Sequence, residues 1–226
     1  MILLNEKTVV ALFVRRPVAG RVKTRLARDL GDGPACELYQ AMVADVIAAV
    51  ITSGMPLVLF HDGTAEDALP PAWTAGAAAV CVQEGGDLGE RMAGAFRASF
   101  RAGAHGVILA GSDIPGIDRS LLSAAAAAIA GHDAVFSPAV DGGYCLVAAA
   151  AERYDGRIFH DIPWSSPGVM ERTVAACTAA GLSCRLLEPR RDIDTMDDLV
   201  AYCARPAACA PATNAWLADH GFLSRA

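Results

Sequence analysis

Strand-like and helix-like segments alternate along most of the chain, and this alternation limits the folds open to it more than any other feature. Thr8–Val14 is a continuous apolar run rich in β-forming residues, and residues 34–52 follow with apolar side chains at helical spacing. Further strands are predicted at residues 57–60, 79–82, 107–110 and 184–187, and further helices at residues 88–100, 119–130, 167–180 and 195–203. Because such alternation builds a mostly parallel sheet through right-handed crossovers, we expect an α/β fold with helices on both faces.

One interval departs from this alternation. Residues 134–136 and 144–147 both have strand character, and the turn-forming segment 140–143 lies between them. This arrangement predicts a hairpin, and therefore a mixed sheet with one antiparallel strand. Beyond an Ala- and Pro-rich connector at residues 206–211, a final amphipathic helix is predicted at residues 213–223.

The size and composition of the chain suit one large core. It has 226 residues, of which 54% are hydrophobic. We expect a single domain over residues 1–226. Its core, residues 8–204, carries the motifs described below, and residues 205–226 form a C-terminal extension.

The charge of the chain argues against two classes of partner, and its cysteine content indicates a cellular compartment. With a net charge of -6 and only 19% charged residues, the protein as a whole is not attracted electrostatically to nucleic acid or to an anionic membrane. The longest apolar runs reach about half of the ~20 residues that a membrane-spanning helix needs, so no membrane insertion is predicted. The seven cysteines include no C-x-x-C pair, and the apolar start of the chain is typical of a first strand and not of a signal peptide. A cytoplasmic protein with reduced thiols is therefore expected.

A cationic loop follows the first strand directly. It places five cations within eleven positions of an acidic protein: Arg15, Arg16, Arg21, Lys23 and Arg25. Gly20 permits the backbone to approach a polyphosphate, and Thr24 is expected to cap the next helix. Lys23 and Arg25 are expected to face the charge on a transferred phosphoryl group, with Arg16 and Arg21 as further phosphate contacts. The loop lacks the spacing of a Walker motif, and the alternative is a solvated basic loop without function.

A glycine-rich segment at residues 83–92 follows the predicted strand 79–82 and opens a helix. Gly85, Gly86 and Gly89 let the backbone approach a base or ribose, and Arg91 lies near the same edge. Together with Asp87 these residues are candidates for nucleotide binding. The alternative is a glycine-rich turn in which Asp87 is simply the N-cap of the helix.

Three aspartates follow strands or extended segments and are candidate ligands of Mg²⁺ or Mn²⁺. Asp113 comes directly after the apolar run that ends at Gly111, and Asp192 and Asp194 alternate on one side of an extended stretch. Hard divalent cations prefer oxygen ligands of this kind. The alternative for Asp113 is a turn or cap before a proline, whereas the two acids at positions 197 and 198 are typical of a first helical turn.

Two further segments are candidates for acceptor binding. The first contains Asp141, Gly142, Gly143 and Tyr144, and the second contains Trp164 before a predicted helix. A tight turn explains the first segment equally well, and a capping loop explains the second. The five histidines share no motif, which disfavours a histidine-based triad or metal site.

Five motifs occur in a fixed order and together resemble the DUF2064 group of the nucleotide-diphospho-sugar transferase (GT-A) superfamily, which is related to phospholactate guanylyltransferases. They are K-T-R-L at 23–26, G-D-L-G-E-R-M at 86–92, G-S-D-I-P at 111–115, D-G-G-Y at 141–144 and D-I-D-T at 192–195. The resemblance covers residues 8–204. It implies a three-layer Rossmann-like fold, a nucleotide over the first loop and a divalent metal held by Asp113. It also implies a further metal or phosphate contact near Asp192 and Asp194, whereas Arg16 stands where many relatives have Lys.

These features favour a metal-dependent nucleotidyltransferase that moves NMP from an NTP to a phosphorylated small-molecule acceptor. The first alternative is a glycosyltransferase with a nucleotide-sugar donor, in which Asp141 would lie near an acceptor base. A nucleotide-binding regulator without turnover is the second, and a nicotinamide oxidoreductase is disfavoured because no G-x-G-x-x-G follows the first strand. The expected partners are a nucleotide and a small-molecule acceptor, with a homodimer as the candidate assembly.

Overall fold

A seven-stranded mixed sheet forms the centre of the fold in the computed structural model, which describes residue 4, residues 7–164, residue 166 and residues 168–224. The strands are Thr8–Val14, Leu57–His61, Ala77–Val82, Gly106–Gly111, Ala134–Pro138, Tyr144–Ala150 and Cys184–Leu186, numbered β1 to β7 in chain order. Their spatial order is β3-β2-β1-β4-β6-β5-β7. Strand β6 runs antiparallel to β4 and β5, while the other pairings are parallel. The predicted α/β class and the single antiparallel strand are therefore confirmed.

Eight α-helices are present in the described part of the chain. They are Ala27–Leu30, Asp32–Ser53, Pro71–Thr74, Leu88–Arg101, Arg119–Ala128, Val169–Ala179, Met196–Ala204 and Pro211–Asp219, numbered α1 to α8. The last helix begins two residues earlier than predicted because Pro211 suits a first helical turn. The prediction for Thr24 is wrong: helix α1 has Leu26 at its N-cap and no side-chain cap.

Alternate residues of strand β1 face the two helical layers. Val10 and Leu12 of β1 belong to the cluster that includes residues of α2, α5, α7 and α8. Val9 and Ala11 belong to the other cluster, which includes residues of α4 and α6. All four side chains are fully buried, so β1 is covered on both faces, as its continuous apolar run predicts.

The C-terminal helix α8 is tied to the long helix α2. The carboxylate of Asp45, which is buried within α2, accepts the N–H groups of Ala212 at 2.9 Å and Thr213 at 2.8 Å. N–H groups in the first turn of a helix have no acceptor within the helix, and a negative charge is favoured there. Helix α2 is also long and apolar enough to cross a membrane by length and composition, but 61% of its most apolar window is buried inside the protein.

The order of the strands reverses between β1 and β4. The chain leaves β1 toward β2 and β3 and then returns to the other side of β1 to form β4. In open α/β sheets, the loops after two such strands diverge and leave a crevice at their carboxyl ends, where ligands bind. Here these loops are the cationic loop after β1 and the G-S-D-I-P loop after β4.

Candidate functional site

Lys23 joins the cationic loop to two of the predicted metal ligands. Its Nζ lies 2.9 Å from Asp113 Oδ2 and 2.7 Å from Asp194 Oδ1. The Lys23 side chain is only 4% exposed, whereas those of Asp113 and Asp194 are 37% and 40% exposed. Lys23 also has a φ of +48°, which is uncommon for a residue with a side chain. The structure thus brings three predicted site residues together, with the ammonium group on the inside.

The charges of this group stabilise one another. Burial alone would lower the pKa of Lys23, but the carboxylates of Asp113 and Asp194 outweigh it and raise this pKa above its ordinary value. Burial would conversely raise the pKa of Asp113, and the nearby ammonium group of Lys23 instead holds it below its usual range. Arg25 adds a weaker contact, 3.6 Å from Asp194 Oδ2, through a side chain that is 64% exposed.

A buried tyrosine contacts the residues that follow β1 and β4, two strands that are paired in the sheet. The hydroxyl of Tyr39, on α2, accepts the Arg15 N–H at 2.7 Å and lies 3.1 Å from Ser112 Oγ. Burial raises the pKa of Tyr39 to about 12, so the hydroxyl keeps its proton at neutral pH. Since Arg15 begins the cationic loop and Ser112 precedes Asp113, Tyr39 links the starts of the two loops.

The segment that carries Asp192 and Asp194 is anchored at its middle and at its downstream end. The Ile193 N–H donates to the backbone carbonyl of Asp113 at 3.2 Å. Downstream, Thr195 and Asp198 form a capping box at the start of α7, which agrees with the prediction of an ordinary first-turn acid at position 198. Asp194 is therefore held beside Asp113 by backbone contacts as well as by Lys23.

Asp192 differs from the other two aspartates in its surroundings. It is partly buried, and among the described residues no cation is hydrogen-bonded to its carboxylate. Burial and the negative charges of Asp141, Asp113 and Asp194 raise its pKa to about 6. The end of the sheet therefore carries more negative charge than Lys23 compensates.

The raised pKa of Asp192 makes the stability of the metal-free protein depend on pH. An acid whose pKa is raised by folding contributes stability at low pH, and this contribution is lost as the pH rises from 3.8 to about 6 and above. We expect Asp192→Asn to be more stable than the wild type by about 2 kcal/mol at pH 7.5 and equal to it near pH 4. Urea unfolding in EDTA at both pH values measures this difference. Asp197→Asn, at an exposed position nearby, is the control, and an equal gain at both pH values would contradict the expectation.

The carboxylates at this end of the sheet are the candidate ligands of the predicted divalent cation. Among the described residues, no group of three or more His, Cys, Asp or Glu side chains is arranged to hold a metal ion. Asp113 and Asp194 nevertheless present carboxylate oxygens at one point, and Mg²⁺ is usually bound by one or two carboxylates together with water and substrate phosphates. The residues present therefore fit a cation that binds together with a phosphorylated substrate.

Arg16 has an acidic partner within the protein. Its guanidinium forms an ion pair with Asp67, and its N–H donates to Asp62 Oδ1 at 3.0 Å. Arg16 thus fastens the loop after β2 to the cationic loop. By contrast, Arg21 is exposed, and Gly20 has the positive φ of +76° that favours glycine.

The glycine-rich segment is held by its own side chains. Asp87 is the N-cap of α4 and accepts the Glu90 N–H at 2.8 Å, as the alternative interpretation predicted. Arg91 Nε donates to the Gly85 carbonyl at 3.2 Å, and Glu90 accepts the Gly86 N–H at 2.7 Å. A nucleotide-binding role for Gly86, Asp87 and Arg91 remains a prediction.

Gly89 has a packing role that its motif did not indicate. A Cβ atom at this position would lie 2.7 Å from the Phe159 carbonyl oxygen and 2.9 Å from the indole ring of Trp164. Only glycine allows this approach. The N-terminus of α4 therefore packs directly on the segment that follows the 3₁₀ helix Gly156–Phe159.

The predicted acceptor residues have clear structural roles. Asp141, Gly142 and Gly143 form the hairpin turn, in which Asp141 Oδ1 accepts the Gly143 N–H at 3.0 Å. The ring of Tyr144 lies 6.3 Å from that of Trp164, and the two are nearly perpendicular. The hairpin tip lies close enough to the aspartates for Asp141 to affect the pKa of Asp192. Acceptor binding by these residues remains a prediction.

A cavity of about 640 Å³ lies between the glycine-rich segment, α4 and residues 159–161. Its lining includes more acids than bases: Glu84, Asp87, Glu90 and Asp161 against Arg97 and His160. This charge does not suit the phosphate end of an acceptor, because like charges repel.

Sequence reasoning missed two residues that support the site. Gln83 Nε2 donates to the Phe60 carbonyl at 2.9 Å and the Val14 carbonyl at 3.4 Å, which joins the ends of β1 and β2. Arg190 Nε donates to the Gly116 carbonyl at 2.9 Å and supports the loop that carries Asp113. The available signal was position, since Gln83 directly follows a strand and Arg190 precedes the D-I-D-T motif.

The chain is similar to one protein family and to a solved structure that is named as a transferase. A family model described as an uncharacterized protein conserved in bacteria, DUF2064, matches residues 46–166. A crystal structure called "putative nucleotide-diphospho-sugar transferase", from Desulfovibrio desulfuricans G20, is 30% identical, covers 96% of each chain and has a TM-score of 0.87. No protein with a curated description matches the chain.

Two more distant structures share the fold. A nucleotidyl transferase from Methanothermobacter thermautotrophicus is 17% identical, over 85% of this chain and 95% of its own, with a TM-score of 0.57. A 4-diphosphocytidyl-2C-methyl-D-erythritol synthase from Anaerococcus prevotii is 10% identical, over 89% of this chain and 100% of its own, with a TM-score of 0.56. Together with the sheet order and the loops at its switch point, these similarities define a transferase-type α/β fold of the nucleotide-diphospho-sugar transferase class. Within that class, the chain belongs to the DUF2064 family, as the motif resemblance indicates.

Proposed function

We propose that this protein is a metal-dependent nucleotidyltransferase that moves NMP from an NTP to a phosphorylated small-molecule acceptor. The observation that carries the proposal is the contact between Lys23 of the cationic loop and the Asp113–Asp194 pair, at the switch point of the sheet. Cations for phosphate groups and carboxylates for a divalent cation thus lie at one crevice. Phosphoryl-transfer sites need both, because catalysis there is mainly positioning and charge neutralisation.

The reaction needs no nucleophilic side chain. An oxygen of the acceptor phosphate attacks the α-phosphorus in line, the new P–O bond forms, and the bond to the β-phosphate breaks with its electron pair leaving on pyrophosphate. Arg21 and Arg25 are exposed cations of the loop and bind the phosphates, with the backbone at Gly20 close to them. Asp113 and Asp194 would hold Mg²⁺ or Mn²⁺, with Asp192 near them; the cation supplies charge neutralisation.

Glycosyl transfer is the second candidate because the 30%-identical neighbour is named for a nucleotide-diphospho-sugar substrate. The same crevice would then hold the diphosphate of the sugar donor. A hydroxyl acceptor would bind near Asp141, on the hairpin that lies beside Asp192. The exposed cations Arg15, Arg21 and Arg25 of the loop favour the NTP, since a triphosphate carries more negative charge than the diphosphate of a nucleotide-sugar.

Calorimetric titration of the wild-type protein separates these functions. The ligands are the four NTPs and common nucleotide-sugars, each with Mg²⁺ or Mn²⁺ and again in EDTA. We expect metal-dependent binding of an NTP and pyrophosphate release with a phosphorylated acceptor. A preference for nucleotide-sugars would support glycosyl transfer instead. Nucleotide binding that does not depend on a metal and yields no product would support a regulator, and the absence of any binding would overturn the proposal.

A further inference from the structure

Lys23 occupies the point where the two candidate metal ligands meet. One ammonium group contacts Asp113 at 2.9 Å and Asp194 at 2.7 Å. Because the lysine side chain is 4% exposed, solvent screens its charge much less than that of a surface cation. The aspartate pair therefore already has a positive partner within the protein.

We propose that Lys23 is a positioning residue that keeps the Asp113–Asp194 pair from binding a divalent cation until a nucleotide is present. This inference rests on the proposed function, because it gives an order to the binding of substrate and metal at that same site. The cation binds together with the nucleotide and not before it.

The electrostatics of the group give this order. A divalent cation that approaches the carboxylates alone is repelled by the ammonium group already bound to them. The phosphates of a nucleotide offset the repulsion with their own negative charge and supply further oxygen ligands. Cation and nucleotide therefore raise the affinity of the site for each other, and this coupling is reciprocal. Arg25 contributes less, because it lies 3.6 Å from Asp194 and is 64% exposed.

The Mn²⁺ affinity of the nucleotide-free protein tests the role of Lys23 without any measurement of activity. Electron paramagnetic resonance titrations with Mn²⁺ compare the wild type with Lys23→Met, Lys23→Gln and Arg28→Met. We expect weak binding by the wild type and an affinity at least about tenfold higher in both Lys23 variants, because the repelling charge is gone. Arg28→Met removes an exposed cation of α1 and is expected to change the affinity by less than about twofold.

Two further variants keep the test decisive. The amide of Lys23→Gln can still donate hydrogen bonds to both carboxylates. This variant therefore replaces Lys23→Met in the titration if an apolar side chain between two acids prevents folding. Adding Asp113→Asn to Lys23→Gln is expected to remove the gained affinity, which assigns the bound Mn²⁺ to this pair. The inference is overturned if the wild type binds Mn²⁺ as tightly without a nucleotide as with one, or if the Lys23 variants bind it no more tightly.

The two proposals fail in different ways. Titration of the wild type with an NTP and Mn²⁺ tests the proposed function alone, and the absence of any nucleotide binding would overturn it whatever the Lys23 variants show. If the wild type binds nucleotide with the metal but loss of the Lys23 charge leaves Mn²⁺ affinity unchanged, only the inference about Lys23 fails.

Discussion

Asp113→Asn is expected to abolish metal-dependent nucleotide binding and to lower the rate of transfer by about a thousandfold or more. The substitution keeps the shape of the side chain but removes a charge from the pair that faces the crevice. The backbone contact between Ile193 and Asp113 does not involve the side chain, so the loop is expected to keep its place. Calorimetric titration with the preferred nucleotide and a pyrophosphate-release assay measure the two effects.

Asp118→Asn is the matched control for this substitution. Asp118 lies five residues further along, caps α5 by accepting the Leu121 N–H at 2.8 Å, and has no contact with Lys23. Asn is also a good N-cap, so this variant is expected to keep nearly full activity. A rate for Asp113→Asn above about a tenth of the wild-type rate would show that the carboxylate does not carry the metal-dependent step.

Gly89→Ala is expected to lower the free energy of unfolding by about 2 kcal/mol, because overpacking forces neighbouring groups apart. The added methyl group would meet the Phe159 carbonyl at 2.7 Å, and this backbone atom cannot turn away as a flexible side chain can. Alanine has a higher helix propensity than glycine, so a small gain in stability offsets part of this loss. Urea unfolding gives the free energy, and tryptophan fluorescence reports on the displaced ring of Trp164.

Gly33→Ala is the control for the glycine substitution. Gly33 lies in the first turn of α2, and nothing lies within 4 Å of a Cβ atom placed there. This variant is expected to be equal in stability to the wild type or more stable by up to about 1 kcal/mol. If both variants gain stability, the contact between α4 and the segment after the 3₁₀ helix does not constrain position 89.

The sequence was most informative where a pattern repeats along the backbone. The continuous apolar run of β1 and the turn composition at residues 140–143 predicted a doubly covered strand and an antiparallel hairpin, and both are present. The proximity of Asp113 and Asp194 was also predictable, because both follow extended segments that end at the same edge of the sheet.

Side-chain partners that depend on the direction of a loop were not predictable. Lys23 was expected to face phosphate, and its contacts with two aspartates were not foreseen. Arg16 was expected to bind phosphate and has Asp67 as its partner, in a loop 51 residues away. Periodicity contains no information about such contacts, because they depend on where the backbone of each loop turns.

The Tyr39 hydroxyl connects the hydrophobic core to the candidate site. It contacts both site loops at once from the interior of α2, a helix that contributes no charge to the Lys23 cluster. The start of each loop is therefore tied to a buried side chain of the hydrophobic core as well as to the pairing of β1 with β4. A core substitution that shifts helix α2 would thus reach the site through Tyr39, although no charged motif residue is changed.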